Sequence, residues 1–158
     1  MSHWQDCRVS ATLRAVKKAS FPTPEDAEAA FYEAIERGDI EAMMEVWSDD
    51  EEILCVHPGG PRLSGVEQVR QSWTQILKSG LQFKVHLAGA VVVQGMMLSI
   101  HSLHENILVQ GENRPRSPVV VTNVYQRGTA GWRMIVHHAS PAPEPAGARA
   151  DPPAKTLH

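Results

Sequence analysis

Apolar residues recur at helical spacing through the first half of the chain and at strand spacing through the second. Ala27, Ala30, Phe31, Ala34 and Ile35 fall on one stripe of a helix. Thr23 can cap that helix, Pro24 suits its first position, and Glu25 and Asp26 sit at the positive end of its dipole. Gly38 ends it. Asp39 starts a second helix with Ile40, Met43, Met44 and Trp47 on its stripe. A third opens at Ser64-Gly65-Val66-Glu67, a capping-box pattern. It presents Val66, Val69, Trp73, Ile76 and Leu77 on one face and closes at Gly80. Strands are predicted at residues 53–57, 82–93, 96–109, 118–126 and 132–139, with hairpin turns at Gly95 and at 128–131. Helices followed by a meander of strands make an α+β domain, three N-terminal helices packed on a curved, mostly antiparallel sheet. The helices can cover one sheet face, so the other is a candidate homodimer interface.

Composition narrows the function classes. The chain has 158 residues, 42% hydrophobic and 21% charged, with a formal net charge of -3. That is one globular domain with a real core. No long basic run invites nucleic acid, and no apolar stretch reaches the roughly 20 residues that span a bilayer. Residues 1–20 read as a flexible leader, with a basic amphipathic helix as the other reading. The core of a secretory signal is missing. Residues 21–141 form the domain, and 142–158 are a Pro/Ala-rich tail expected to be disordered. Cys7 and Cys55 are the two cysteines, so a disulfide framework is not expected and a reducing cytoplasm is the default setting.

The candidate chemistry is histidine-centred. Two strands each end on histidine before proline: Cys55-Val56-His57-Pro58, and the run from Trp132 through His137-His138 to Pro141. Cys55 and His57 are two apart and share a strand face. His57 can move a proton near neutral pH or cap a strand end by bonding backbone. Tyr32, on the flank of the first helix stripe, suits a pocket wall or a partly exposed boundary. His137 and His138 must face opposite ways. His138 shares a face with Trp132, Met134 and Val136, which is the expected pocket side, and His137 then falls on the dimer side. Asn123 lies among valines and must find partners if buried, either a ligand, His57 or backbone. Trp47 and Trp73 are expected in the core with an edge available to a pocket. His101 and Glu105 share a strand face. His101 and His104 have a metal spacing only on a helix, so no metal or other cofactor is expected. No nucleophile elbow, Walker loop or dinucleotide fingerprint is present.

Several segments together resemble a known superfamily. They are Phe31-Tyr32-Glu33-Ala34-Ile35-Glu36-Arg37-Gly38-Asp39, Trp47-Ser48-Asp49-Asp50, His57-Pro58-Gly59-Gly60, Leu63-Ser64-Gly65, Ser72-Trp73, Gly131-Trp132-Arg133 and His137-His138-Ala139-Ser140-Pro141. Over residues 24–141 this resembles the nuclear transport factor 2-like superfamily, and within it the SnoaL-like bacterial proteins. The end of the domain is also similar to the calcium/calmodulin-dependent kinase II association domain. The resemblance implies a cystatin-like cone with a pocket between helices and sheet, and commonly a homodimer. It implies no single activity, since ketosteroid isomerase, polyketide cyclases, dehydratases, an epoxide hydrolase and non-catalytic assembly domains share it. Against the ketosteroid isomerase template, Tyr32 matches the oxyanion donor. His57, before Pro58, stands where the template has its carboxylate base, and the template's protonated aspartic acid has no counterpart. The expected function is binding of a small, apolar carbonyl compound, with cofactor-free isomerisation, cyclisation or dehydration as the reaction if there is one. His57 and Tyr32 would be catalytic, and Trp47, Cys55, Trp73, His101, Asn123 and His138 would contact the ligand. A non-catalytic binding or oligomerisation domain is the alternative.

Overall fold

The computed structural model describes residues 18–50 and 52–143. The leader up to residue 17 and the tail from residue 144 lie outside the described residues. Lys18 to Ser20, read as the end of the leader, are tied to the domain: Lys18 pairs with Asp49 at 2.5 Å and the Ala19 carbonyl accepts from Arg133.

Helix α1 (Pro24–Arg37) has the expected start. The Thr23 hydroxyl accepts from the Asp26 amide, and the Asp26 carboxylate accepts from the Thr23 amide, so two orphan donors are satisfied. Gly38 closes it in the left-handed region at φ 64. Asp39 caps α2 (Ile40–Val46). Strands β1 (Leu54–Val56) and β2 (Arg62–Ser64) pair antiparallel across the Pro58–Pro61 turn; β2 was not expected. Helix α3 (Gly65–Leu77) lacks the expected box. Ser64 makes no side-chain cap, and the Gln68 side chain accepts from the Ser64 amide instead. The helix ends at Lys78, two residues before Gly80.

Strands β3 (Phe83–Gln94), β4 (Leu98–Val109), β5 (Val119–Gly128) and β6 (Gly131–Pro141) complete a six-stranded sheet in the order β2-β1-β6-β5-β4-β3. Every pairing is antiparallel except β1 with β6. Gly131, at φ 96, lets the segment before α1 bridge onto β6; a Cβ there would meet the Phe21 carbonyl oxygen at 2.5 Å. The helices pack on one sheet face and bury a core around Phe31, Met43, Trp47, Leu103, Val121 and Met134.

Two register shifts bend the sheet. One lies between Ala88 and Val91 on β3. The other leaves Ile135 of β6 without a partner on β5: Tyr125 pairs with Met134 and Val124 with Val136. An extra residue in one strand changes the phase of inward and outward positions. Trp132 and Met134 therefore share the buried face with His137 and Ala139, while His138 is exposed. Strict alternation had placed His138 inside and His137 outside; the bulge exchanges them.

Candidate functional site

A cavity of about 460 Å³ opens between α1, α3 and the sheet. Its wall is mostly aliphatic and aromatic, with Ile35, Trp73, Ile76, Val85, Ile107 and Val119 contributing. Polar character comes from His57, Glu105, Arg116, Ser117 and His137. A concave apolar site with a few convergent polar groups is the usual form of a small-molecule pocket.

Register explains the convergence. His101, Asn123, His137 and Cys55 are successive partners across β4, β5, β6 and β1, so they form one row on the helix-covered face. Glu105 lies further along β4 on that face. Above it Tyr32 reaches down from α1 and donates to Glu105 Oε1 at 2.7 Å. Asn123 Nδ2 donates to the Tyr32 hydroxyl at 3.2 Å, and Asn123 Oδ1 lies 2.8 Å from His137 Nδ1. With Glu105 ionised, all donors run one way, from His137 through Asn123 and Tyr32 to the carboxylate. Asn123 thereby holds His137 as the Nδ1–H tautomer and leaves Nε2 as an acceptor.

Burial sets the charge states. Glu105 is 6% exposed, and desolvation lifts its carboxyl from 4.5 to about 7, although the Tyr32 hydrogen bond pulls the other way. Burial, with His57 and His138 nearby, pushes His137 down to about 3, so it is neutral. Burial also lowers His57 and raises the Cys55 thiol to about 12. The Tyr32 phenol is raised, chiefly by burial and then by Glu105, and stays protonated. His57 Nε2 sits 2.5 Å from Ser72 Oγ and 3.7 Å from Cys55 Sγ, and the ring stacks edge-on against Trp73 at 4.8 Å between centroids.

The expected site residues thus separate. His57 and Trp73 stand on the cavity wall. Tyr32, Asn123 and Cys55 stand behind it: Tyr32 spends its hydroxyl proton on Glu105 rather than on a cavity oxyanion, and Asn123 orients His137 rather than His57. Trp47 is fully buried in the core, bridged to Met134. His101 is buried away from the cavity, with Nδ1 2.9 Å from Glu28 and Nε2 2.9 Å from Ser99. His138 is exposed on the opposite face. Glu105, which the sequence marks only by its shared face with His101, lines the cavity, and His137 lies on the buried face rather than on the expected dimer side. The parity of Glu105 with Leu103 was a usable signal; nothing in the local sequence marks the bulge at Ile135. Among the described residues, no cluster of three or more His, Cys, Asp or Glu side chains could hold a metal ion, and no helix is long and apolar enough to cross a membrane.

Tyr32 acts here through Glu105, as a positioning residue. In Tyr32→Phe the carboxylate loses a hydrogen bond that favours its charged form, so Glu105 will titrate higher than in the wild type. Leaving the Asn123 amide without its acceptor will cost about 1–3 kcal/mol. Carboxyl ¹³C titration and urea unfolding of the variant check both; an unchanged Glu105 titration would remove Tyr32 from this role.

The SnoaL-like domain family matches residues 25–144. The chain belongs to that family. A Thiobacillus denitrificans protein, provisionally described as a calcium/calmodulin-dependent protein kinase type II association domain, is 35% identical. The match covers 79% of this chain and 99% of that one, with a TM-score of 0.71. A Streptomyces avermitilis protein of the NTF2-like family, provisionally described as a dehydratase, is also 35% identical, over 74% of this chain and 91% of that one, with a TM-score of 0.67. Among curated proteins, the Arabidopsis thaliana F-box protein SKIP8 is 26% identical over 112 residues, 70% of this chain. The SnoaL-like chain spans about half the length of that relative, 46%. More distant structures described as cystatin-like, at 13% and 19% identity with TM-scores of 0.64 and 0.60, show the fold alone. The expected fold, a cystatin-like α+β cone, is therefore the fold of this SnoaL-like domain.

Proposed function

We propose that this SnoaL-like domain binds a small, mostly apolar carbonyl compound in its cavity and moves a proton on it without a cofactor. One observation carries the reading: Glu105, on the cavity wall, is a buried carboxyl lifted to about 7. A carboxyl at that value holds a useful fraction of both forms at neutral pH. It can take a proton from carbon and return it elsewhere. The neutral His57 and His137 on the same wall supply lone pairs or a hydrogen bond to the substrate without adding charge. Isomerisation, cyclisation and dehydration can each proceed by such a proton transfer. The Streptomyces relative described as a dehydratase supports this class of reaction. In this reading Glu105 carries the proton and His57, expected from the sequence as the base, assists from the same wall.

The test is a thermal-shift and native mass spectrometry screen of enones and polyketide-like aromatics, followed by turnover assays of the stabilising compounds. A ligand that prefers the folded state raises its melting temperature. Stabilisation and turnover by wild type, with turnover lost in Glu105→Gln, is the expected result. Turnover that survives in Glu105→Gln contradicts the mechanism.

Association is the second reading, favoured by the uncovered sheet face. Val91 and Val93 are 63% and 64% exposed, beside Leu98 and Ile100. Contiguous apolar surface of that kind marks interaction sites. The association domain of Thiobacillus denitrificans offers a parallel. We expect a homodimer through this face, and Val93→Asp will convert it to monomer in light scattering. A wild-type protein that is monomeric at micromolar concentration would contradict it.

A further inference from the structure

We infer that the cavity selects an apolar carboxylic acid, seated with its carboxylate on Arg116. The inference rests on the reading of the cavity as a small-molecule site and adds the class of molecule. Arg116 is the one fixed cation among the described residues of the wall. His57 and His137 are held neutral by burial. The rest of the wall is largely hydrocarbon, so the body of the ligand is apolar and its charge sits at one end.

Two of the guanidinium's five donors are already engaged. Glu112 accepts from Arg116 Nε at 3.2 Å and from Nη2 at 2.8 Å, which uses one fork of the side chain. The Nη1 hydrogens and the second Nη2 hydrogen have no acceptor among the described residues, and that edge matches a carboxylate bidentately. The Arg116 and Glu112 side chains are 45% and 39% exposed, so their pair contributes little energy of its own and can shift for a ligand. Ser117 adds a hydroxyl beside it on the same wall. Charge count favours a monoanion over a phosphate. Any anion must share Arg116 with Glu112, and Glu105 carries part of a negative charge near neutral pH, so a second negative charge on the ligand adds repulsion with no second fixed cation among the described wall residues to offset it.

Isothermal titration of cinnamate and cinnamamide into wild type and Arg116→Gln tests the inference. The two probes share shape and differ in charge. Wild type should bind the acid roughly tenfold more tightly than the amide, as expected for a charge-assisted pair. Arg116→Gln should weaken the acid about tenfold, to the level of the amide, and weaken the amide far less, because a neutral carbonyl loses only an uncharged acceptor's share. Because Arg116 is half exposed, the substitution does not threaten the core. Equal binding of acid and amide by wild type, or equal weakening of both by Arg116→Gln, overturns the Arg116 assignment while the cavity reading stands. Binding of neither probe at millimolar concentration overturns both.

Discussion

Glu105→Gln will make the protein more stable at alkaline pH while removing proton transfer. The sign follows from the direction of the shift. The folded-state carboxyl titrates near 7 and the unfolded one near 4.5, so between those values the folded state holds a proton that the unfolded chain has lost. Stability therefore falls as pH rises through that window, because ionised Glu105 is buried in a cavity wall that solvates it poorly. The full difference corresponds to about 3 kcal/mol at most, at about 1.36 kcal/mol per pH unit. Glutamine keeps the carbonyl acceptor for Tyr32 and cannot ionise. The variant should match wild type below pH 4.5 and exceed it increasingly towards pH 8. His137 acts in the opposite sense. Its folded value of about 3 lies below the unfolded 6.5, so its contribution is lost as pH falls through that range. Comparing variant with wild type at each pH cancels the His137 contribution and isolates Glu105. Urea unfolding at a series of pH values reads the result, and parallel curves for the two proteins would show that Glu105 is not destabilised by its charge. A site that destabilises the resting fold to keep a proton mobile is consistent with a catalytic carboxyl.

Trp47→Ala will cost about 3–5 kcal/mol of stability and leave ligand affinity unchanged. Trp47 is fully buried, has no place on the cavity wall and seals the α2 end against β6 through its bridge to Met134. Its removal leaves a large void in a core whose whole net stability is of the order of 5–15 kcal/mol. Its indole N–H has no hydrogen-bond partner among the described residues. Trp47→Phe therefore discards an unsatisfied donor together with part of the ring and should lose much less. Trp73, which faces both core and cavity, should lose stability and ligand affinity together when truncated. A Trp47→Ala variant that unfolds at wild-type urea concentration, or one that weakens ligand at full stability, would move Trp47 from core to site.

These contrasts show which parts of the molecule local sequence can carry. The helix stripes, the Thr23 and Gly38 ends of α1 and the alternation of β4 depend on neighbours in sequence, and the sequence reading matched them. The row His101–Asn123–His137–Cys55 depends on the pairing of four strands, which no local pattern specifies. The bulge at Ile135 exchanges His137 and His138 between faces, so regular alternation selected the wrong histidine. The α3 start was misread for a similar reason. Gln68, one turn along the helix, takes the Ser64 amide in place of Glu67. Tyr32 and Asn123 carried the right signal, polarity in an apolar setting, but that signal does not say whether such a group faces a ligand or supports one that does. Glu105 lay in plain view by parity, yet a lone glutamate acquires chemical meaning only when its burial is known.

What sets Glu105 apart is a proton held near neutrality at the cavity wall. The direct measurement is a ¹³C side-chain carboxyl titration of the 158-residue protein, with Glu105→Gln supplying the assignment. A carboxyl resonance that titrates near 7 and vanishes in the variant is the predicted result. If the resonance lost in Glu105→Gln titrates near 4.5 instead, the carboxyl is an ordinary wall residue and the proton-transfer account is wrong.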